Sequence, residues 1–150
     1  PAIFFDASFH NSPITNVKIH SNTFLWTGYK GIIMYGGPLD GVTISDNVFY
    51  DSSIDLDGRT LGVKSDYNLF YNSRGPSNEG PNSITSNPQF VNYTRHQSWN
   101  VRVKSTSPAI NKGDPALLTT MGLTGNFVDI DGVSRPNGAR CDIGAYEYKP

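Results

Sequence analysis

Val17-Lys-Ile-His-Ser-Asn22-Thr-Phe24, Val42-Thr-Ile-Ser-Asp-Asn47-Val-Phe49 and Val63-Lys-Ser-Asp-Tyr-Asn68-Leu-Phe70 are three versions of one pattern. Each is a short run with β-branched residues, then Asn, one further residue, and Phe. The asparagines stand 25 and then 21 residues apart. A chain that meets the same pattern at this interval lays down one coil of a solenoid per repeat. Alternation at Val17/Ile19 and Val42/Ile44 turns an apolar row inward and a polar row outward. Asn at a constant corner suits a tight left-handed bend, and its amide can bond along the stack to the Asn above and below. The Phe two residues later points inward and stacks on its equivalents. A β-sandwich with similar hairpin spacing gives no reason for Asn-x-Phe to recur.

Working outward, Ile-rich segments flanked by glycine supply another wall: Gly31-Ile-Ile-Met-Tyr35 and Ser53-Ile-Asp-Leu-Asp57, with Ala2-Ile-Phe-Phe-Asp6 as its first member. With Ile32/Met34 and Ile54/Leu56 inside, period two sends Ile33/Tyr35 and Asp55/Asp57 outward. Phe4 and Asp6 join that outer row if Ile3 and Phe5 are inside. A slip of one residue would exchange every inside for an outside. Composition supports strands: 15 Gly and 10 Pro stand beside abundant Asn, Asp and Ser, against two Glu and six Ala. The fold class read is all-β, with about three coils and a carboxy-terminal section. It forms one module over residues 1–150, with coil repeats in 1–86 and the terminal section in 87–150.

Twelve basic and 13 acidic residues give a formal charge of −1. That argues against non-specific binding to nucleic acid or to an anionic membrane. No apolar run approaches the roughly 18 residues of a membrane span. Cys141, the sole cysteine, excludes intrachain disulfides and a cysteine-rich zinc site, and reads as a buried small apolar residue. His10, His20 and His96 fall out of register with one another, which weighs against a histidine metal site or catalytic triad. Asn92-Tyr-Thr94 matches a glycosylation acceptor, of consequence only in a eukaryotic secretory host.

From Ser65 onward more specific strings follow: Ser65-Asp-Tyr-Asn-Leu-Phe-Tyr71, Asn87-Pro-Gln-Phe-Val-Asn92, Ser107-Pro-Ala-Ile-Asn-Lys-Gly113, Asp129-Ile-Asp-Gly-Val-Ser-Arg-Pro136 and Asp142-Ile-Gly-Ala-Tyr-Glu147. With the coil repeats, they resemble the carboxy-terminal end of secreted bacterial right-handed parallel β-helix proteins of the pectate-lyase-like superfamily. The resemblance implies a right-handed parallel β-helix, an extracellular location, and polysaccharide held on the long face formed by one strand of each coil. It leaves the activity open, because lyases, hydrolases, epimerases, adhesins and binding modules share this scaffold. Residues 87–148 are expected to close and flank the carboxy-terminal end of the stack, shielding a sheet edge. Trp99, Val101 and Val103 alternate like a strand, and Trp99 is expected in the core. Asp129-Ile-Asp131-Gly132 reads as a turn positioning Arg135, with calcium as an alternative although no Glu completes an EF-hand. Asp142 is expected as a buried carboxylate holding a last strand. Pro1, with no initiator methionine or leader before it, reads as a boundary. The apolar strand that follows it calls for a cover: a preceding domain, a second copy or a short loop.

The outer face of the Ile-rich wall is aromatic, apolar and acidic. Bordering loops add Trp26, Tyr29 and Lys30 on one side, and Asp40, Tyr50 and Arg59 around it. An eliminating lyase needs a base and cations that neutralise a uronate carboxylate, yet Lys30 and Arg59 lie toward loops and Lys18 and Lys64 on another wall. The Arg-containing signature of pectate lyases and the Asp-based set of the hydrolases of this fold are both absent. Asp55 and Asp57 could pair for glycoside hydrolysis, but at this spacing a solvated or calcium-binding pair is the simpler reading. No catalytic residue is assigned, and an enzyme is disfavoured. No cofactor is required, although calcium is possible.

The function expected is a non-catalytic carbohydrate-binding module for a plant-type polysaccharide. Its binding residues are Trp26, Tyr29, Tyr35, Tyr50, Asp55, Asp57 and Arg59: rings stack on sugar C–H faces, and polar groups pair with hydroxyls. The acidic groove favours a neutral chain such as xylan. The alternatives are the carboxy-terminal part of a polysaccharide lyase acting on a uronate polymer, and a structural or adhesin segment.

Overall fold

The computed structural model describes residues 1–8, 12–28, 30–59, 61–73, 79–123 and 127–150. In chain order the strands are β1 (Ile3–Ala7), β2 (Ile14–Thr15), β3 (Lys18–His20) and β4 (Thr23–Leu25). Then come β5 (Ile32–Gly36), β6 (Leu39–Asp40), β7 (Val42–Ser45) and β8 (Val48–Tyr50). β9 (Ile54–Asp55), β10 (Val63–Asp66), β11 (Leu69–Tyr71) and β12 (Ile84–Thr85) follow. The chain ends with β13 (Phe90–Thr94), β14 (Ser98–Val103) and one short helix, α1 (Leu117–Met121).

The protein is all-β, and most of its pairing is parallel. β1–β5–β9 form one parallel sheet, β3–β7–β10 a second, β4–β8–β11–β12 a third and β2–β6 a small fourth. Every pair joins equivalent positions of successive repeats: Ile3 to Ile32 to Ile54, Ile19 to Ile44, and Phe24 to Phe49 to Phe70. One core draws on all four sheets, including Ile32, Met34, Ile54 and Leu56 with Ile19, Ile44, Phe24, Phe49, Phe70 and Leu39. The inward half of the alternation therefore holds for the Ile-rich wall, whereas Ile33, read as an outer residue, is buried where the β1 and β9 neighbours flank it.

The three phenylalanines stack in a column, with ring centroids 4.9 and 5.0 Å apart and planes within 11° and 9° of parallel. Phe49, the middle ring, is fully buried. Burying such a side chain is worth about 1.5–3 kcal/mol, and each ring pair adds roughly 0.5–1.5 kcal/mol.

Beside this column runs the asparagine ladder. Asn47 Oδ1 accepts from the Asn22 backbone N–H at 3.0 Å and from its side-chain amide at 3.1 Å. Asn68 Oδ1 accepts from Asn47 in the same two ways, at 3.0 and 3.1 Å. The Asn47 amide also reaches the carbonyls of Ile19 and Ser45. The left-handed residue at this corner is not the asparagine but its predecessor: Ser21, Asp46 and Tyr67 have φ of 56°, 58° and 55°. The bend places the following Asn so that its side chain points along the stack. Two further corners repeat, at Asn16, Gly41 and Gly62 before the second sheet's strands and at Trp26, Asp51 and Asn72 after the third's. At Gly62 (φ 79°) a Cβ would stand 1.9 Å from the Leu39 carbonyl oxygen, so no other residue fits there.

The terminal section lies along the sides of these sheets rather than only at their end. Val48 and Leu69, the middle residues of Asn-x-Phe, face outward into a second apolar cluster with Phe90, Val103, Ala109 and Ile143. The antiparallel hairpin β13–β14 packs there, with Tyr93 opposite Trp99. The section also reaches the first repeat, where Ala145 N–H donates to Thr23 Oγ1 at 3.1 Å. Gly144 N–H donates to the Asp46 carbonyl at 2.8 Å, and Asp114 N–H to Asp46 Oδ1 at 2.7 Å. On the second sheet, Lys18 donates to the Thr120 carbonyl at 2.9 Å and Lys64 pairs with Asp114 at 3.3 Å. The physical reason is the apolar middle position of the repeat, which needs cover that an end cap cannot supply.

Within the section, Arg135 is fully buried, ion-paired with Glu147 at 3.1 Å and bonded to the Gly144 carbonyl at 2.8 Å. The Asp129 turn positions it as the sequence suggested. Asp142 is buried, but it holds no strand: its two oxygens accept the N–H groups of Asn111 and Tyr148. Trp99, expected in the core, is 66% exposed. It sits opposite Tyr93 beside the hairpin turn, and only Val101 and Val103 of its alternating row join the apolar cluster. Cys141 is buried, and burial pushes its thiol up to about 11.

Candidate functional site

The terminal section docks on the second and third sheets, and the outer face of β1–β5–β9 is the open one. Phe4 there is 53% exposed, and the Asp57 side chain is 60% exposed. Strand pairing sets Ile33 between Phe4 and Asp55, and Asp6 beside Tyr35. The Phe4 and Tyr35 rings meet edge to face, centroids 5.9 Å apart at 88°. Such rings offer a C–H-accepting surface with hydroxyl and carboxylate groups at its border.

The polar centre of the face is Lys30, Tyr35 and Asp55. Lys30 Nζ is ion-paired with Asp55 Oδ2, and Tyr35 donates its hydroxyl to the same oxygen at 3.2 Å. Lys30 lies 3.4 Å from the Tyr35 hydroxyl. The hydrogen bond from Lys30 holds the Asp55 carboxyl below the usual carboxylate range, and the one to Asp55 raises Lys30. Asp55 Oδ1 accepts Asp57 N–H at 2.9 Å, which fixes the bend at Asp57 (φ 54°).

These directions define the chemistry. A lysine raised above its ordinary value stays protonated and is a poor base, and a carboxyl held down is a poor general acid. Lys30 and Asp55 thus stand as a charged, hydrogen-bonded pair at neutral pH. Asp55 fits a metal badly for a related reason: its oxygens serve Lys30, Tyr35 and Asp57 N–H, and an ammonium occupies the cation position. The Asp129 turn is equally spent, since Asp129 accepts N–H groups from Asp131, Val133 and Glu147, while Asp131 is forked by Arg102 at 2.6 Å twice. Among the described residues no three His, Cys, Asp or Glu converge as a metal-binding group.

Arg59 reaches this face from its border, but its guanidinium is committed to backbone. It donates to the carbonyls of Gly37 at 2.9 Å and Met34 at 3.0 Å, and stands 3.4 Å from Asp57 Oδ2. It ties the ends of β5 and β9 together.

The expected binding set therefore divides. Tyr35, Asp55, Asp57 and Arg59 share the open face. Trp26 and Tyr50 belong to the third sheet, where Trp26 N–H donates to the Tyr50 carbonyl at 2.8 Å. Trp26 is 42% exposed, with the Arg95 guanidinium 3.2 Å from its ring centroid and His96 edge-on at 4.7 Å. Tyr50 packs against Tyr71, Phe90 and Tyr93. Tyr29 lies outside the described residues, as does His10. Sequence reasoning did not pick out Tyr71, Phe90 and Tyr93 as companions of Tyr50. The signal was present: the residue after each repeat Phe is Leu25, Tyr50 and Tyr71, an outward column.

Among the described residues no helix is long and apolar enough to cross a membrane. No protein-family model, curated protein or solved structure matches the chain.

Proposed function

We propose that this chain is a non-catalytic carbohydrate-binding module, folded as a right-handed parallel β-helix of the pectate-lyase-like kind and acting outside the cell. Four parallel sheets sharing one core, and bends recurring at fixed offsets, support the architecture. The observation that carries the function is the open β1–β5–β9 face, where the Phe4–Tyr35 ring pair adjoins Asp55, Asp57 and Lys30. A sugar ring stacks on Phe4 and Tyr35, and its hydroxyls donate to Asp57 and Asp6.

A neutral polysaccharide such as xylan suits the face better than a uronate chain, because the one lysine at its centre is already paired with Asp55. The shallow surface buries little area, so affinity falls in the micromolar to millimolar range. Affinity electrophoresis through xylan, cellulose, β-glucan, polygalacturonate and alginate tests the reading. Retardation by a neutral polymer without product supports it. Unsaturated uronate product from an acidic polymer would replace it with a lyase.

A further inference from the structure

We propose that the pocket between the third sheet and the terminal hairpin is a second ligand site, specific for a ring compound bearing one carboxylate. The pocket encloses about 220 Å³ and is lined by Tyr50, Asn87, Gln89, Phe90, Tyr93 and Lys104. That is room for a single ring in a pocket open to solvent on one side. Three of its walls are aromatic: Tyr50 lies 4.8 Å from Tyr93 and 5.6 Å from Phe90, and Phe90 lies 5.9 Å from Tyr93, centroid to centroid. They offer both ring faces and ring edges to a ligand.

The remaining lining groups are donors. Asn87 spends its Oδ1 on Gln89 N–H at 2.8 Å, leaving its NH₂. Gln89 spends its Oε1 on the Thr106 hydroxyl, again leaving NH₂. Lys104 has its backbone N–H on the Gln89 carbonyl at 2.9 Å, while its ammonium has no partner among the described residues. Two amide NH₂ groups and one ammonium, with both amide oxygens already engaged, ask for a ligand group that accepts. A carboxylate is that group, and its bond to Lys104 is charge-assisted. The bend at Gln89 (φ 54°), held by Asn87, keeps the donors in place before a ligand arrives. Burial, and after it the charge of nearby Asp51, raises the Tyr50 and Tyr93 hydroxyls, so the carboxylate belongs at the Lys104 side, away from Asp51. This chemistry is opposite to that of the open face, where the unspent groups are acidic.

Two sources carry it, a sugar acid and an aromatic acid. The test is calorimetry and saturation-transfer NMR with glucuronate and benzoate, each against its neutral counterpart, glucose and benzyl alcohol. At least one acid binds at millimolar concentration, about tenfold or more tighter than its neutral partner, and Lys104→Gln removes that advantage without lowering the melting temperature. Saturation by glucuronate assigns the site to acidic sugars, and saturation by benzoate to aromatic acids. Tyr35→Ala leaves acid binding intact, which separates this site from the open face. The proposal is overturned if neither acid saturates, if neutral and acidic partners bind alike, or if Lys104→Gln and Tyr93→Leu both bind the acid as the parent does.

Discussion

The Asn47 side-chain amide donates to Asn68 Oδ1 at 3.1 Å, and the same oxygen accepts the Asn47 backbone N–H at 3.0 Å. One carboxamide thus satisfies both the main chain and the side chain of the repeat before it. Asn47 does the same for Asn22, so the middle asparagine is acceptor for one neighbour and donor to the next. A serine hydroxyl has a single hydrogen to donate, whereas the Asn47 NH₂ reaches Asn68 and the Ile19 and Ser45 carbonyls while its oxygen still accepts from Asn22.

Asn47→Ala removes the middle of this ladder where it is fully buried. It strands the carbonyls of Ile19 and Ser45 and two Asn22 donors. A loss of about 3 kcal/mol is expected in urea denaturation. Asn22 is exposed at the ladder's end, so Asn22→Ala should cost clearly less. Equal losses, or an unchanged midpoint for Asn47→Ala, would count against the ladder.

Phe49→Ala empties the centre of the aromatic column between Phe24 and Phe70. A loss of about 3–5 kcal/mol is expected, with Phe49→Leu costing much less because it keeps most of the volume. Thermal unfolding of the two variants side by side checks this order.

Asp46 makes stability depend on pH. Its Oδ1 accepts Asp114 N–H, its carboxyl is fully buried, and burial pushes it up from 3.8 to about 6. The folded state therefore holds the proton more tightly than the unfolded chain. The associated stability is present below about 3.8 and is lost as pH rises through about 6. The full difference is on the order of 3 kcal/mol. Burial raises Asp142 and Glu147 in the same sense, whereas His20 is lowered by burial and acts in the opposite sense. Comparing Asp46→Asn with the parent isolates the one group: the variant's stability should fall less between about pH 4 and 6. Parallel curves for the two proteins would refute the assignment.

Polysaccharide binding at the open face should not vary between about pH 5 and 9, because Asp55 is held below its ordinary range and Lys30 above it. A bell-shaped dependence measured by calorimetry would instead indicate a titrating acid–base pair.

The repeats made the core and the open face legible in advance. Period two assigned Ile32, Met34, Ile54 and Leu56 inward and Tyr35 and Asp55 outward, and their strands pair in that register. The Asn-x-Phe spacing likewise announced the ladder and the ring column. Other features depend on contacts far apart in sequence. Trp26 and Tyr50 flank the Ile-rich wall in sequence, yet the left-handed bends at Trp26 and Asp51 leave them on a different sheet. Trp99 alternates like a core residue, but nothing local says that only Val101 and Val103 of its row reach the apolar cluster. The lateral docking of residues 87–150 was written in Val48 and Leu69, whose apolar side chains face outward and require cover.

The measurement that bears most directly on function is affinity electrophoresis through xylan of the parent, Tyr35→Ala and Tyr50→Ala. The account predicts that xylan retards the parent, that Tyr35→Ala migrates as in a gel without polysaccharide, and that Tyr50→Ala is retarded like the parent. Retardation of Tyr35→Ala equal to that of the parent would contradict it and remove the β1–β5–β9 face as the binding surface.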